Sequence, residues 1–397
     1  MPASSSPRVA DFSTHLSGPL TSHYLAEMGA DVVKIEHWAI GDGNRGVDPL
    51  INEVGMIHVN CGPGVRSLAA DLRSPHSAEV VRACARWADV VIVGARPRDA
   101  AARGLDFDSV KALNPSVVYC AVSGYGTTGP WRDRPAHGLQ LDAYAGHVPI
   151  EWVEGQPRVR DGFRTAGTTA AAMFAAMGIW AALYRSRQTP GRPAQNVHVS
   201  AWDAAMSWQW RDLTTAANLG HMWTEYAEAG TRYAMYATAD RRALLLCPLE
   251  RRFWEALSDL VELPAEVRAR GDWSINGMDW GVGPQYEDER GLLERRIGAQ
   301  PLEYWTERLV PTGVPFAPIL TPAEALASDH AGASGVLGRT TVGGHEAWYT
   351  RSAVRFLHPT GEPAELGPPP VIGEHTDEVL RDIGLDHLVG HFPHERP

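Results

Sequence analysis

Three glycines in six residues follow a β-branched run at Val117–Pro130 (VVYCAVSGYGTTGP), the pattern of a strand that breaks abruptly into a loop. Val117, Val118 and Val122 suit a buried strand, while Gly124, Gly126 and Gly129 permit positive φ and close approach of the backbone to a bound group. The chemistry of such a strand-end loop is that of binding, with Ser123, Gly124 and Gly126 as candidate contacts. An ordinary structural turn has the same composition, so the elements that would carry the loop have to be read as well.

The first half alternates strand and helix signals in the βαβ manner. Arg8–Phe12, Asp31–Glu36 (DVVKIE), Asp89–Val93 (DVVIV) and Val117–Val122 read as strands. His23–Met28, closed by Gly29, Ser77–Trp87, and Phe107–Leu113, stopped before Pro115, read as helices between them. That order predicts an α/β fold with a doubly wound, Rossmann-like parallel sheet. Ligands of such sheets bind beyond the carboxyl ends of the strands, so Gly18-Pro19, Glu36–Arg45, Ala95–Arg98 and Ser123–Pro130 are expected on one rim. The Ala-rich stretch Ala170–Tyr184 predicts a further helix, with Thr168 or Thr169 as its N-cap, followed by the strand Asn196–Ser200. After Trp202 the pattern changes to aromatic helices, including Arg251–Leu260 and Leu302–Leu309, before a return through Val371–Leu385. The expected organisation is a large domain in residues 1–205, a smaller α+β domain in 225–320, and a return to the large domain in 325–397.

At 397 residues, two domains are the default. A net charge of −11 argues against nucleic acid as the main partner. The start MPASSSP lacks the regions of a signal peptide, and no apolar run is long enough to span a bilayer, so the expected location is cytoplasmic. Cys61, Cys84, Cys120 and Cys247 stand far apart among apolar neighbours, which predicts neither disulfide nor metal site. No GxGxxG or Walker sequence occurs, which argues against nicotinamide and nucleoside-triphosphate chemistry. The 14 tryptophans concentrate after Trp202 and point to an aromatic-lined cavity or an oligomer interface; Trp202, Trp208, Trp210, Trp223 and Trp254 are candidates for a bulky, apolar acyl pocket.

Several short pieces, in this order, resemble one family. They are Val9–Ser13 with Ser17-Gly18-Pro19, Leu25–Glu36, Arg66-Ser67 before Asp71-Leu72, Arg96-Pro97 before Gly104-Leu105, Asn114-Pro115, Ser123–Pro130, and Ile372–Thr376 before Val379-Leu380. The chain resembles the family III CoA-transferases, which include formyl-CoA transferase, the carnitine CoA-transferase and α-methylacyl-CoA racemase. The resemblance implies an acyl-CoA thioester as ligand, an acid that accepts the CoA, and an interlocked homodimer. A CoA site needs cationic donors near strand-end amides, and Arg45, Arg66, Arg96 and Arg98 lie on the predicted rim. Solvated surface arginines are the alternative for each.

In the transferases an aspartate at the start of the helix equivalent to Ala170–Tyr184 attacks the thioester to form an anhydride. Counting back without gaps from Gly178 and Ala182-Leu183, this position is Thr168, which cannot do that chemistry. Three readings follow. Asp161 could supply the carboxylate if the loop Asp161–Gly167 is displaced by seven residues, although a surface aspartate in a DG turn is the plainer reading. Alternatively, His137 and Glu250 match the racemase histidine and its glutamate partner, which implies proton chemistry at the α-carbon; a structural histidine and a helix cap before Arg251 are the bland counterparts. Finally, the chain could be a non-catalytic subunit working with a paralogous partner. Gly138 also stands where an aspartate commonly follows the histidine, and Asp142 where the family often has glutamine.

Overall fold

The computed structural model describes residues 6–70, 76–221, 230–274, 276–355 and 365–392. Two compact units emerge, one from residues 1–211 and 334–397, the other from residues 212–333.

The first unit is built on a six-stranded sheet of β1 (Arg8–Asp11), β2 (Asp31–His37), β3 (Val65–Ala70), β4 (Val90–Val93), β5 (Val118–Ser123) and β6 (Gln195–Ser200). Every neighbouring pair is parallel, in the order β3-β2-β1-β4-β5-β6. This is the doubly wound order, with its switch point between β1 and β4. Strands β4 and β5 show why the sequence folds this way. Val91, Val93, Tyr119 and Ala121 face one core, against α2 (Ser77–Trp87) and the helix Thr376–Asp382. Val90, Ile92, Val118, Cys120 and Val122 face the other, against α1 (Ser17–Glu27) and α4 (Gly167–Gln188). A strand buried on both faces needs apolar residues at both parities, which the runs VVIV and VYCAV supply. The strand β3, with the sequence VRSLAA, has no such run, and its pairing with β2 rather than its composition makes it a strand.

The four predicted rim segments follow β1, β2, β4 and β5 and share the carboxyl edge of the sheet. Two short helices complete this region, α3 (Gly138–Tyr144) and α5 (Ala201–Trp208). Among the described residues, α4 is the one helix long and apolar enough to cross a membrane, but half of its most apolar window is buried in this unit, as suits a core helix.

The second unit holds a three-stranded antiparallel sheet of Ala234–Ala237, Ala243–Leu246 and Phe316–Pro318, packed on the helices Arg251–Leu260, Glu287–Ile297 and Leu302–Leu309. Its centre includes Trp254 and Trp305. Arg232 is fully buried there, its guanidinium 3.9 Å from the Trp254 ring and 2.9 Å from Glu289.

The candidate tryptophans of the acyl pocket fall in different settings. Trp254 is core in the second unit, Trp208 and Trp210 are exposed, and Trp223 lies outside the described residues. Trp202, with Tyr125, Trp131 and the glycine-rich loop, lines a cavity of about 360 Å³. Trp131 meets Trp202 edge-on at 6.0 Å and Tyr125 at 5.5 Å.

Candidate active site at the start of helix α4

The loop after β5 is held in place from both sides. The Ser123 hydroxyl accepts the Gly126 amide at 3.0 Å, and Gly126 takes a φ of 86°. A Cβ at Gly124 would stand 2.4 Å from the Cβ of Ala136, so only glycine lets this loop pass the segment that leads into α3.

Helix α4 begins at Gly167, one residue before the expected caps Thr168 and Thr169, and neither threonine caps it. The capping oxygen comes from another helix. Asp142, on α3, accepts the amides of Ala166 at 3.0 Å and Gly167 at 3.1 Å through Oδ1, and it is fully buried. The carboxylate complements the partial positive charge of the helix end, an arrangement that local sequence cannot announce because it joins residues 25 apart. Gly167 is required as well, since a Cβ there would lie 2.6 Å from the Ala201 carbonyl oxygen. The Ser17 hydroxyl, in the first turn of α1, donates to the Thr168 carbonyl at 2.9 Å. Three helices thus fix one backbone position.

What remains open at this point is polar. Ala170 makes the first intrahelical bond, to the Ala166 carbonyl at 2.8 Å, and no acceptor meets the amides of Thr168 or Thr169 among the described residues. Thr168 Oγ1 and Asp142 Oδ2 are both buried without a hydrogen-bond partner. Gly138 faces this spot: a Cβ there would be 3.6 Å from Thr168 Cγ2 and 3.8 Å from Thr168 Oγ1. His137 precedes it as the exposed N-cap of α3, its amide donating to Gln140 Oε1 at 3.3 Å.

The other candidates fall elsewhere. Asp161 is exposed in the turn before α4. Glu250 belongs to the second unit as the residue before the helix Arg251–Leu260, and its side chain makes no capping bond.

The arginines divide into two kinds. Arg45 is tied through Nη2 and Nε to the two oxygens of Glu36, at 2.6 and 2.9 Å, and through Nη1 to the Pro370 carbonyl at 2.9 Å. Arg66 binds both oxygens of Asp31, at 3.0 and 2.8 Å, and also Glu378 and Asp382 at 2.8 Å each. Both forks are satisfied by protein carboxylates. Arg96 bonds Asp99 at 2.6 Å, and Arg98, the most exposed of the four, approaches Asp99 only at 3.5 Å.

Beneath the rim lies a buried ionic cluster. Lys34 reaches Asp42 at 3.1 Å, Asp11 at 3.5 Å and the Ser13 carbonyl. Burial pulls the Lys34 ammonium down, but these carboxylates outweigh it and hold its pKa above the ordinary value. Burial likewise pushes Glu36 up, yet Arg45, Ser67 and the Asp42 amide bring its pKa below the usual carboxylate range. His58, 3.0 Å from Arg45 Nη1, is depressed to about 4 by burial and by that cation.

A family model, CoA-transferase family III, matches residues 5–376. The chain belongs to CoA-transferase family III. Members of this family move CoA from a thioester to a carboxylic acid, with the CoA thioester as substrate. The succinate–glutarate CoA-transferase of Agrobacterium fabrum is 35% identical over 159 residues, 38% of this chain and 40% of that one. The alpha subunit of succinyl-CoA–L-malate CoA-transferase from Chloroflexus aurantiacus is 26% identical over 393 residues, 95% of this chain and 87% of the relative. A CaiB/BaiF family protein from Brucella suis shares the fold with a TM-score of 0.77 at 22% identity, covering 95% of this chain and 98% of that one.

Proposed function

We propose that this family III CoA-transferase acts on thioesters of short dicarboxylic acids, with the thioester carbonyl placed at the start of α4. The observation that carries this reading is the pair of acceptorless amides at Thr168 and Thr169 on a 22-residue helix, aligned to stabilise charge developing on a carbonyl oxygen. The acids are inferred from the relatives' names, two of which specify succinate or succinyl-CoA. The CoA phosphates are assigned to Arg96 and Arg98, because Arg45 and Arg66 already spend their donors on carboxylates. Ser123, Gly124 and Gly126 form the wall on the pantetheine side. Incubating the protein with succinyl-CoA and labelled glutarate tests the reading: labelled glutaryl-CoA is expected, and its absence at every acid offered would sink it.

A second reading, proton exchange at the α-carbon, is favoured by one contact. Gly138, the neighbour of His137, faces Thr168, so His137 stands beside the proposed thioester position. Asp161 is left as the acid of a surface turn, and Glu250 as the residue before a helix. Deuterium appearing at the α-carbon in heavy water, and lost in His137→Gln, would establish His137 as a base.

A second copy of the chain, or a paralogous subunit, completes the assembly in this proposal. The hairpin Ile150–Val153 and Gln156–Val159 is exposed along its whole length, including Trp152 at 69%. Helix α4 carries exposed Phe174, Met177 and Tyr184 on one stripe. The alpha-subunit name of the Chloroflexus relative is what keeps a paralogous partner in view.

A further inference from the structure

We propose that this chain also hydrolyses acyl-CoA thioesters, with Asp142 as general base for a water molecule held between its carboxylate and the Thr168 hydroxyl. The inference rests on the reading that the thioester docks at the start of α4.

Asp142 is fully buried, and its two oxygens differ. Oδ1 is pinned by the amides of Ala166 and Gly167, whereas Oδ2 has no partner. One residue along the chain, Thr168 Oγ1 is buried and unpartnered as well. Nearly all buried polar atoms in folded proteins find a partner, so two orphans at one helix end mark a place for a polar occupant. One orphan can only accept a hydrogen bond when ionised, and the other can donate or accept. Water satisfies both, donating to the carboxylate while accepting from the hydroxyl. Gly138 lies four residues before Asp142 on the same face of α3 and presents no side chain towards Thr168.

The placement of the carboxylate decides the chemistry. An aspartate at position 168 would project from the helix and could attack a thioester directly. Asp142 is held at the foot of the helix by two amides, which prevents it from swinging onto the carbonyl carbon but leaves one oxygen able to take a proton. The water oxygen bonds to the thioester carbonyl carbon and its proton passes to Asp142. The carbonyl electron pair moves onto oxygen, facing the free amides of Thr168 and Thr169. Collapse breaks the C–S bond, Asp142 returns the proton to the departing CoA sulfur, and the freed acid ionises. The net reaction consumes one thioester and one water and yields one carboxylate, one CoA thiol and one proton.

The test offers acetyl-, butyryl- and adipoyl-CoA to the full chain without an acceptor acid and follows any thioester that binds by calorimetry. In ¹⁸O-water, thiol release above the buffer blank is expected, with one ¹⁸O in the freed acid. Asp142→Asn keeps a capping oxygen but cannot take the proton, so it should bind the thioester as the parent does while losing about 100-fold or more in release rate. A bound thioester that stays intact, an Asp142→Asn variant as fast as the parent, or an acyl group found on Thr168 by intact mass would each overturn the proposal. Binding without turnover removes this inference alone; failure of these three thioesters and of succinyl-CoA to bind removes the reading of the site as well.

Discussion

At the scale of single residues, the resemblance and the folded chain put a carboxylate in different places. The resemblance places the nucleophilic carboxylate at position 168 and often a glutamine at position 142; here a threonine and a buried aspartate hold those places. One charge at the helix end is favourable, but two carboxylates a few ångströms apart cannot both ionise without cost. Thr168→Asp alone should therefore gain little CoA exchange, because the new acid shares a proton with Asp142. Thr168→Asp with Asp142→Gln should exceed the single variant by about tenfold or more, a difference of roughly 1.4 kcal/mol in the barrier. Steady-state exchange between succinyl-CoA and glutarate measures this, and equal rates for the two variants would refute it. Arg66 is a structural residue by its contacts. Arg66→Gln leaves Asp31, Glu378 and Asp382 without their shared cation and is expected to cost about 1–3 kcal/mol in urea unfolding.

At the scale of elements, the start of α4 is specified by its neighbours. Its own residues include small, permissive ones, yet Gly167 touches the Ala201 carbonyl, Asp142 supplies the cap, and Ser17 holds the Thr168 carbonyl. Gly167→Ala pushes α4 against the Ala201 carbonyl of α5 and should cost about 1–3 kcal/mol. A shifted urea midpoint with an unchanged slope would show this. An unchanged midpoint would mean that the two helices slide freely there. The same elements mark the limit of sequence reading. Ser77–Trp87, Phe107–Leu113, Arg251–Leu260 and Leu302–Leu309 were legible to the residue because their signals are local: caps, breakers and spacing of apolar residues. The strand β3 was not, because Ala and Ser carry little strand preference and its pairing partner is distant in sequence. The α4 cap was missed for a similar reason. Its available signal was the Asp four residues after Gly138 in GLQLDAY, which places both on one face of α3.

At the scale of the whole molecule, two buried histidines tie stability to acidity. Burial depresses His23 to about 4, despite carbonyl contacts from Pro63 and Thr350, and burial with Arg45 does the same for His58. A histidine whose folded pKa lies below its unfolded value near 6.5 leaves the unfolded chain holding more protons at intermediate pH. Its stabilising contribution is full above that unfolded value and is lost as the pH falls from 6.5 towards 4. Each group contributes up to roughly 3 kcal/mol across this window. The depressed Glu36 and Asp42 contribute stability above their unfolded pKa values and lose it at lower pH still, as they protonate through their folded pKa values. Unfolding by urea at intervals from pH 7.5 to 4 should show a falling midpoint, and the fall should be shallower in His23→Phe. A flat profile would mean that the histidines titrate normally. Assembly is testable at the same scale: Met177→Glu, placed on the exposed stripe of α4, should convert a dimer to monomer by light scattering if that stripe is the interface.

The alternation of the strands β1, β2, β4 and β5 with their helices, and the edge of the sheet that the four rim segments share, were readable in the sequence, because each depends on residues close together in the chain or on a motif read in order. The tertiary structure decided which charges are free. It spent Arg45 and Arg66 on carboxylates, left Arg98 exposed, and brought Asp142 beneath Thr168, since ion pairs and caps join residues that only folding makes neighbours.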